Sequence, residues 1–267
     1  MTSLKKLMDL HGRVALVTGG AGLIGPALCE ALAELGASVA VLDRREDRCR
    51  EVAGRLRAEF GSEAEPLLVD LTDQTALAGV CPWVLSRFGR LDILVNCAAY
   101  GGDAELQGWI SPFPQQLPDT WRKALELNLT VPFVLTQACA PALAESGAGS
   151  VINFGSTYGV VGPDLRIYEG TSMGNPAAYA AGKGGLLQLT RWLATVLAPK
   201  VRVNAITPGG VWSGQPDVFH RAYVARTPLG RMAAESDLKG AVAYLASDLS
   251  AYVTGHNLVV DGGWTTW

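Results

Sequence analysis

The fold is decided near the amino terminus by the stretch Thr18-Gly19-Gly20-Ala21-Gly22-Leu23-Ile24-Gly25. It follows a short apolar run, Arg13 to Thr18, and opens an amphipathic stretch, Leu23 to Leu35. That order predicts a strand, a tight turn and a helix, in which glycines let backbone N–H groups approach a pyrophosphate at the helix start. A turn that only packs a helix on a strand is the alternative. The setting favours a dinucleotide site formed by Gly19, Ala21, Gly22, Leu23 and Ile24.

Similar apolar runs recur along the chain and alternate with amphipathic stretches. They are hydrophobic throughout rather than at every second residue, which indicates parallel strands covered by helices on both faces. The predicted strands are Arg13 to Thr18, Ser38 to Asp43, Pro66 to Asp70, Leu91 to Asn96, Ser150 to Gly155, Val201 to Ile206 and Asn257 to Asp261. The predicted helices are Leu23 to Leu35, Asp47 to Phe60, Gln74 to Phe88, Asp119 to Ser146, Ala177 to Leu197 and Ser236 to Ser247. The sequence therefore predicts an α/β, doubly wound parallel sheet of seven strands, as a single domain over residues 1–267.

Composition and charge disfavour several classes of protein. A hydrophobic fraction of 49% with 31 glycines predicts a globular core, and a net charge of -3 offers no basic surface for nucleic acid or anionic lipid. The five cysteines are far apart, so we predict reduced thiols and no metal site. We see no signal peptide and no uninterrupted membrane span. We therefore expect a cytoplasmic protein that binds a small molecule, with neither nucleic acid nor membrane as partner.

The second predicted strand ends at Asp43. Its distance from the glycines is the one at which a carboxylate accepts hydrogen bonds from the ribose hydroxyls of a dinucleotide, which favours NAD. Arg44 and Arg45 follow directly and would bind the 2'-phosphate of NADP if Asp43 turned aside. NADP therefore stays open as the alternative cofactor.

A tyrosine and a lysine stand one helical turn apart in the run Tyr179-Ala180-Ala181-Gly182-Lys183. This spacing puts the phenol and the ammonium on one helical face. At about 5 Å and an effective dielectric of about 20, their attraction of roughly 3 kcal/mol would lower the phenol pKa from about 10 to about 8. The phenol would then serve as an acid and a base near neutral pH. A packed ring beside a solvated amine has the same spacing, so the pair is specific only together with the glycine turn.

Together, these motifs resemble the short-chain dehydrogenase/reductase family, in its single-domain branch, from about Gly12 to Trp264. Further matches in the family's order and spacing are Asp70-Leu71-Thr72, Asn96-Cys97-Ala98-Ala99, Asn128, Ser156, Pro208-Gly209-Gly210-Val211 and Asp261-Gly262-Gly263. The resemblance implies a Rossmann-type fold and an NAD(P)-dependent oxidoreductase that interconverts a secondary alcohol and a ketone. It also implies a homo-oligomer, either a dimer or a homotetramer.

The resemblance also implies a role for each matching residue. Tyr179 would exchange a proton with the substrate oxygen, and Ser156 would orient that oxygen. Lys183 would lower the tyrosine pKa and hold the nicotinamide ribose, while Asn128 would fix a water that relays protons. The remaining cofactor contacts would come from Asp70, Leu71, Asn96, Ala98, Pro208, Gly209 and Val211.

Three departures from the family pattern leave alternatives open. Leu23 stands where a small residue is expected, so the turn reads as in the larger epimerases and dehydratases, although the long substrate domain of those enzymes is missing. Cys97 and Ala99 replace the usual Asn and Gly beside the adenine. The interval between Ser156 and Tyr179 is longer than usual, which keeps Ser172 and Tyr168 open as substitutes.

Pro132, four residues after Asn128, has no N–H to donate to the Asn128 carbonyl. We expect a break in the predicted helix there, with the carbonyl left to bind the relay water. A kink that only improves packing is the alternative.

Two loops, residues 100–118 and 157–176, follow strands at their carboxyl ends, where open α/β sheets bind ligands. The second carries hydroxyls and both signs of charge. This favours a polyol, sugar or sugar-phosphate substrate, with Arg166 able to pair a phosphate or carboxylate. A contact with a neighbouring subunit is the alternative role of that loop.

Two further functions are compatible with parts of the sequence. The run Gly170-Thr171-Ser172-Met173-Gly174 fits the G-x-S-x-G pattern of serine hydrolases, with His220 and His256 as possible bases, but no apolar strand precedes it and Pro176 follows it. A cofactor-binding regulator without turnover is the third possibility. It is disfavoured because every catalytic position of the family pattern holds a competent residue.

Overall fold

The computed structural model describes residues 2–101 and 106–267. Residues 102–105, part of the predicted loop 100–118, lie outside this description. Seven parallel strands form one sheet in the order β3-β2-β1-β4-β5-β6-β7, which confirms the predicted sheet. They are β1 (Val14–Thr18), β2 (Ser38–Asp43), β3 (Ala64–Leu68), β4 (Ile93–Asn96), β5 (Gly149–Phe154), β6 (Val201–Pro208) and β7 (Asn257–Val260). The strand order reverses beside β1, so the crevice between the ends of β1 and β4 is the expected ligand site.

Helices cover both faces of this sheet. They are α1 (Leu4–Met8), α2 (Gly25–Glu34), α3 (Glu46–Phe60), α4 (Gln74–Ala78), α5 (Val80–Phe88), α6 (Pro118–Leu125), α7 (Val131–Glu145), α8 (Ala177–Leu197), α9 (Asp217–Val224) and α10 (Lys239–Ala246). Successive residues of each strand point to opposite faces. Val17 of β1 packs in the core with α2, α3 and α10, whereas Leu16 packs in the other core with α5, α7 and α8. Both faces of the sheet are therefore covered, as the continuous apolar pattern of the strands predicts.

The helix predicted over Asp119 to Ser146 is interrupted. A π-helical turn, Glu126–Thr130, separates α6 from α7 and contains the buried Asn128. Pro132 stands in the first turn of α7, where its missing N–H costs least. The expected break is therefore present, as a widened turn. Whether the Asn128 carbonyl binds a water stays a prediction.

Other boundaries differ for identifiable reasons. The predicted helix Gln74 to Phe88 divides at Gly79 into α4 and α5. Strand β3 begins at Ala64, two residues before Pro66, and it pairs only with β2. An edge strand tolerates a proline because one side of its backbone needs no partner. Helices α1 and α9 were not predicted.

Among the described helices, residues 118–145 alone are long enough to span a bilayer and contain an 18-residue window as apolar as a membrane span, with a mean hydropathy of 1.4. Their inner side contributes Val131, Leu135 and Leu143 to the core beside the sheet. One side of this stretch therefore packs in the protein core.

Candidate active site

The glycine turn lies between β1 and α2 and touches the end of β4. A Cβ atom on Gly19 would stand 2.9 Å from the backbone nitrogen of Ala98, and one on Gly25 would stand 2.0 Å from the Gly19 carbonyl oxygen. Only glycine fits these two positions, and the small residues leave the backbone open to a ligand at the start of α2. The turn therefore fits a pyrophosphate. Ala21 is fully buried, Ile24 packs against the core, and Leu23 is accommodated because its side chain is half exposed.

Asp43 ends β2 at the same edge and is 9% exposed. Its Oδ1 accepts hydrogen bonds from the backbone nitrogen of Arg45 at 3.2 Å and from Nε of Arg45 at 3.3 Å. A second guanidinium nitrogen of Arg45 donates to the Ala21 carbonyl. Arg45 thus spans from the Asp43 carboxylate to the glycine turn.

The predicted adenine residues follow β3. Asp70 accepts hydrogen bonds from Thr72, whose N–H and hydroxyl lie 2.9 and 2.8 Å from its Oδ1. These bonds, and to a smaller degree the nearby charge of Arg44, lower the pKa of the Asp70 carboxyl below its usual value. Leu71 beside it is buried. The loop is therefore ordered by its own hydrogen bonds, with Arg44 on its outer side.

The adenine and catalytic ends meet at the carboxyl end of β4. The hydroxyl of Thr18 accepts hydrogen bonds from the backbone nitrogens of Cys97 and Ala98, at 3.1 and 3.2 Å. Burial raises the pKa of the Cys97 thiol to about 12, and the charges of Lys183 and Asp43 both act on it. The two ends of the predicted dinucleotide site therefore face one crevice.

The far wall follows β6. Pro208 ends the strand, the Gly209 nitrogen donates to the Val260 carbonyl at 2.9 Å, and Val211 pairs with Ala233 in a short bridge. A Cβ atom on Gly209 would lie 2.9 Å from Asp261, so this position also requires glycine.

Tyr179 and Lys183 lie on the first two turns of α8. The Lys183 ammonium is 5.9 Å from the centre of the Tyr179 ring and donates a hydrogen bond of 2.6 Å to the Phe154 carbonyl. Lys183 is 3% exposed, and this burial lowers its pKa to about 8. The two side chains point the same way, as the spacing predicts. Tyr179 packs on an apolar wall that includes Trp109 and Ala178.

Ser156 follows β5 and is 6% exposed. It starts a 3-10 turn, Thr157–Gly159, which lies against α8: a Cβ atom on Gly159 would stand 2.8 Å from the carbonyl carbon of Lys183. Ser172 is exposed, and the residues before it form a 3-10 helix, Leu165–Tyr168, instead of a strand. The structure therefore brings Ser156 and not Ser172 to the helix of Tyr179, and the hydrolase elbow is absent from this described segment.

Asn128 forms hydrogen bonds to the backbone of Tyr100 through both polar atoms of its side chain. Its Oδ1 accepts from the Tyr100 nitrogen at 2.8 Å, and its Nδ2 donates to the Tyr100 carbonyl at 3.3 Å. Asn128 thus fixes the start of the loop that follows β4. Its backbone carbonyl is the remaining group for the predicted relay water.

A chain of buried amides and hydroxyls crosses the centre of the sheet. Nδ2 of Asn96 donates to Oδ1 of Asn153 at 2.9 Å, and Nδ2 of Asn153 donates to the Thr190 hydroxyl at 2.9 Å. All three residues are at most 3% exposed. We call this the buried polar tie. It links β4, on the cofactor side, through β5 to the catalytic helix α8.

The sequence did not reveal the partners of the inserted segment, defined as residues 157–176. Asp164 accepts hydrogen bonds from Arg166 at 2.8 and 3.0 Å, and also pairs with Arg226, which follows α9. The Arg166 guanidinium, followed by its N–H and Arg226, lowers the pKa of Asp164 to about 2. Arg166 is therefore already paired with a carboxylate in the segment.

Two tyrosines of the segment also meet beside Tyr179. The hydroxyls of Tyr158 and Tyr168 are 2.7 Å apart, and the Tyr168 ring lies 5.3 Å from that of Phe219 on α9. The one available sequence signal for Tyr158 was its place two residues after Ser156. Its partner, ten residues later, depends on how the segment folds back.

Comparisons with known proteins show which proteins this chain resembles. A family model described as enoyl-(acyl carrier protein) reductase matches residues 20–265. The chain is 34% identical to trans-4-hydroxycyclohexanecarboxylate dehydrogenase of Sinomonas cyclohexanicum, over 95% of this chain and 93% of that protein. It also resembles the crystal structure of a short-chain type dehydrogenase/reductase from Mycobacterium marinum, with 31% identity, 99% coverage of both chains and a TM-score of 0.84.

Two further solved structures carry nucleotides. An NAD⁺-bound xylitol dehydrogenase is 31% identical, with a TM-score of 0.84 and coverage of 95% of this chain and 99% of that chain. A gluconate 5-dehydrogenase from Burkholderia cenocepacia J2315, in complex with NADP and tartrate, is 30% identical, with a TM-score of 0.87 and coverage of 99% and 100%. Relatives of similar identity thus hold either nucleotide.

Proposed function

The chain belongs to the short-chain dehydrogenase/reductase family, NAD(P)-dependent enzymes acting on CH–OH groups, and on that premise we propose that it is an NAD-dependent dehydrogenase of a polyol or sugar. The observation that carries the proposal is the buried Lys183 ammonium, which lies 5.9 Å from the centre of the Tyr179 ring. We further propose that residues 1–267 act as one domain, in the cytoplasm, as a homo-oligomer.

In the proposed reaction, Tyr179 takes the proton from the substrate hydroxyl during oxidation and returns it during reduction. The positive charge of Lys183 favours the phenolate, and the Ser156 hydroxyl donates a hydrogen bond to the substrate oxygen. Asn128 holds the loop at Tyr100 and offers its backbone carbonyl to the water through which the proton leaves. A bound nicotinamide would accept or supply the hydride.

The preference for NAD rests on Asp43. This carboxylate is 9% exposed, and with NADP bound it would stand next to the negatively charged 2'-phosphate. The repulsion between the two charges makes NADP binding less favourable than NAD binding, in which the carboxylate accepts hydrogen bonds from two ribose hydroxyls. Arg45 keeps the alternative of an NADP-dependent carbonyl reductase open, because it lies between Asp43 and the turn. Titration of the protein with NAD and NADP, followed by tryptophan fluorescence, tests this choice. Tighter binding of NADP would contradict it.

The preference for a neutral polar substrate rests on the inserted segment. Arg166 forms two hydrogen bonds to Asp164, so its charge is compensated before a substrate arrives. The segment offers phenol hydroxyls near Tyr179, which suit a polyol or sugar better than a sugar phosphate. The named relatives are dehydrogenases, which disfavours sugar-nucleotide epimerisation or dehydration as the activity.

Replacing Tyr179 by Phe tests the proposed chemistry. Without the phenol proton, we expect kcat to fall by about 10²- to 10⁴-fold, while NAD binds with nearly unchanged affinity. Turnover is measured as NADH formation with xylitol, erythritol and cyclohexanol. Tyr252→Phe is the control, because that ring is fully exposed and lies before β7. Unchanged turnover in Tyr179→Phe would remove Tyr179 from the mechanism.

A further inference from the structure

The inserted segment folds back to place two phenols next to the proposed catalytic tyrosine. Tyr158 follows Ser156 by two residues, and its backbone nitrogen donates to the Ser156 hydroxyl oxygen at 3.2 Å. Tyr168 ends the 3-10 helix Leu165–Tyr168. The hydroxyls of these two tyrosines lie 2.7 Å apart, and both phenols are near enough to Tyr179 for its ionised form to raise their pKa. We call them the tyrosine pair.

The tyrosine pair holds an unused hydrogen-bond donor. Two phenol hydroxyls carry two protons, and the bond between them uses one. Among residues 2–101 and 106–267, the other proton has no hydrogen-bond acceptor, so it stays available beside Tyr179. Burial raises the pKa of both phenols above the usual value, so each keeps its proton at neutral pH. The pair therefore acts as a neutral donor and acceptor, and not as a second acid or base.

Asn175 adds a second incomplete group. Its side chain is close enough to Tyr168 to act on the pKa of that phenol, while its Oδ1 is buried and has no partner among the described residues. Buried polar groups without a hydrogen-bond partner are rare, because such a group has a higher free energy than the same group in contact with water. The cluster of Tyr158, Tyr168 and Asn175 is thus not saturated by the protein alone.

The cluster is also held rigidly. The Tyr168 ring packs against Phe219 at 5.3 Å, and Asp164 ties the same segment to Arg226. Tyr179 itself packs on the apolar wall with Trp109 and Ala178. The surroundings of Tyr179 therefore include both phenol hydroxyls and an apolar surface.

We propose that the tyrosine pair binds a second hydroxyl of the substrate, next to the carbon that is oxidised, and thereby selects vicinal diols over simple secondary alcohols. This inference rests on the proposed function, since it names the substrate feature that the same site recognises. Tyr158 and Tyr168 are specificity residues in this arrangement: they bind the neighbouring hydroxyl and move no proton. Asn175 positions Tyr168.

The experiment compares cis-cyclohexane-1,2-diol with cyclohexanol, which have the same ring and differ by one hydroxyl. For each protein, kcat/KM is measured with both alcohols and NAD, and their ratio gives the discrimination. We expect the wild-type protein to prefer the diol by about tenfold or more. When cyclohexanol binds, the polar groups that would bond the second hydroxyl are left without a hydrogen-bond partner. Tyr158→Phe, Tyr168→Phe and the double variant should bring the ratio close to one, mainly through KM for the diol, with cyclohexanol turnover unchanged.

Several outcomes distinguish this inference from its premise. Phenylalanine keeps the rings, so thermal unfolding and NAD titration of the variants check that packing and cofactor binding persist. Tyr252→Phe, on a fully exposed ring, should keep the wild-type ratio. A wild-type ratio near one, or a ratio that both variants leave unchanged, overturns the role of the tyrosine pair. Absence of hydride transfer from either alcohol and from the polyols contradicts the proposed function itself.

Discussion

Lys183 combines a positive charge with almost complete burial. Its ammonium donates a hydrogen bond to the Phe154 carbonyl, and burial lowers the pKa of this ammonium to about 8. A ribose bound beside it would supply further acceptors and favour the charged form. The charge of Lys183 above about pH 8 therefore depends on whether a nucleotide is bound.

This arrangement predicts that NAD binding weakens as the pH rises through about 8. Below that pH the ammonium is already charged, so no proton is taken up on binding. Above it, binding must be accompanied by protonation, and Kd should rise by up to about tenfold per pH unit. Fluorescence titrations between about pH 6.5 and pH 9.5 measure this. Lys200→Met, on an exposed lysine, should keep the slope, and a pH-independent Kd in the wild-type protein would contradict the prediction.

At the level of single residues, the sequence predicted the position of a site residue when that position depends on one turn of a helix or on the end of one strand. Tyr179 and Lys183 meet because they are four residues apart on α8, and Asp43 faces the crevice because it ends β2. The bond between Tyr158 and Tyr168 was not predictable. It depends on the path of a non-repetitive segment, for which neither helical nor strand periodicity applies.

Among the elements, the junction of the glycine turn with α2 has the least free space. Gly25→Ala would place a Cβ atom 2.0 Å from the Gly19 carbonyl oxygen. We expect the turn to open, with a loss of about 1–3 kcal/mol in the free energy of unfolding and at least about tenfold weaker NAD binding. Urea unfolding and NAD titration measure the two effects.

Gly54→Ala is the matched control, because Gly54 lies within α3 and a Cβ atom there would meet nothing within 4 Å. This change should raise the free energy of unfolding by up to about 1 kcal/mol and leave NAD binding unchanged. Equal behaviour of the two variants would show that the close contact at Gly25 has no effect on the site.

The inserted segment is attached to α9 through Asp164, which bonds Arg166 and pairs with Arg226. Asp164→Asn removes the charge from both pairs, so we expect trypsin to cleave after Arg166 several times faster. KM for a polyol should rise as the wall loosens. Mass spectrometry of the digest identifies the cut. Asp119→Asn, in an exposed pair with Arg122, should cause no change, and equal cleavage rates in Asp164→Asn and the wild type would contradict this attachment.

Element boundaries were predicted where hydrophobic patterning and glycines coincide, as for α8 and β2. The π-helical turn at Asn128 could be expected only as a break, because Pro132 shows that a hydrogen bond is lost and not how the backbone compensates. Helix α9 was missed because it is two turns long. Its buried residues, Phe219 and Tyr223, contact the inserted segment and the carboxyl-terminal residues instead of the sheet.

For the whole molecule, the sheet and its two helical layers followed from the sequence, whereas the assembly did not. The helices that hold the proposed catalytic groups expose large apolar side chains: Trp121 is 39%, Phe133 is 37% and Trp192 is 52% exposed. Exposed aromatic residues of this size are typical of interfaces between subunits.

We expect light scattering to give a mass two or four times that of the 28.1 kDa chain. Trp192→Glu should shift the protein towards the monomer, because it places a charge at the centre of this apolar surface. Leu4→Glu, on the exposed helix α1, is the control. A wild-type protein that is monomeric at tens of micromolar would contradict the proposed homo-oligomer.

The buried polar tie has a consequence for how such a chain can diverge. Asn96, Asn153 and Thr190 join the cofactor side of the sheet to α8 through side chains that lie outside the inserted segment. A chimera that carries residues 157–176 of another dehydrogenase should therefore keep its reactive geometry and inherit the donor's choice of alcohol. Evolution can thus exchange the part that selects the substrate while the part that reacts stays the same.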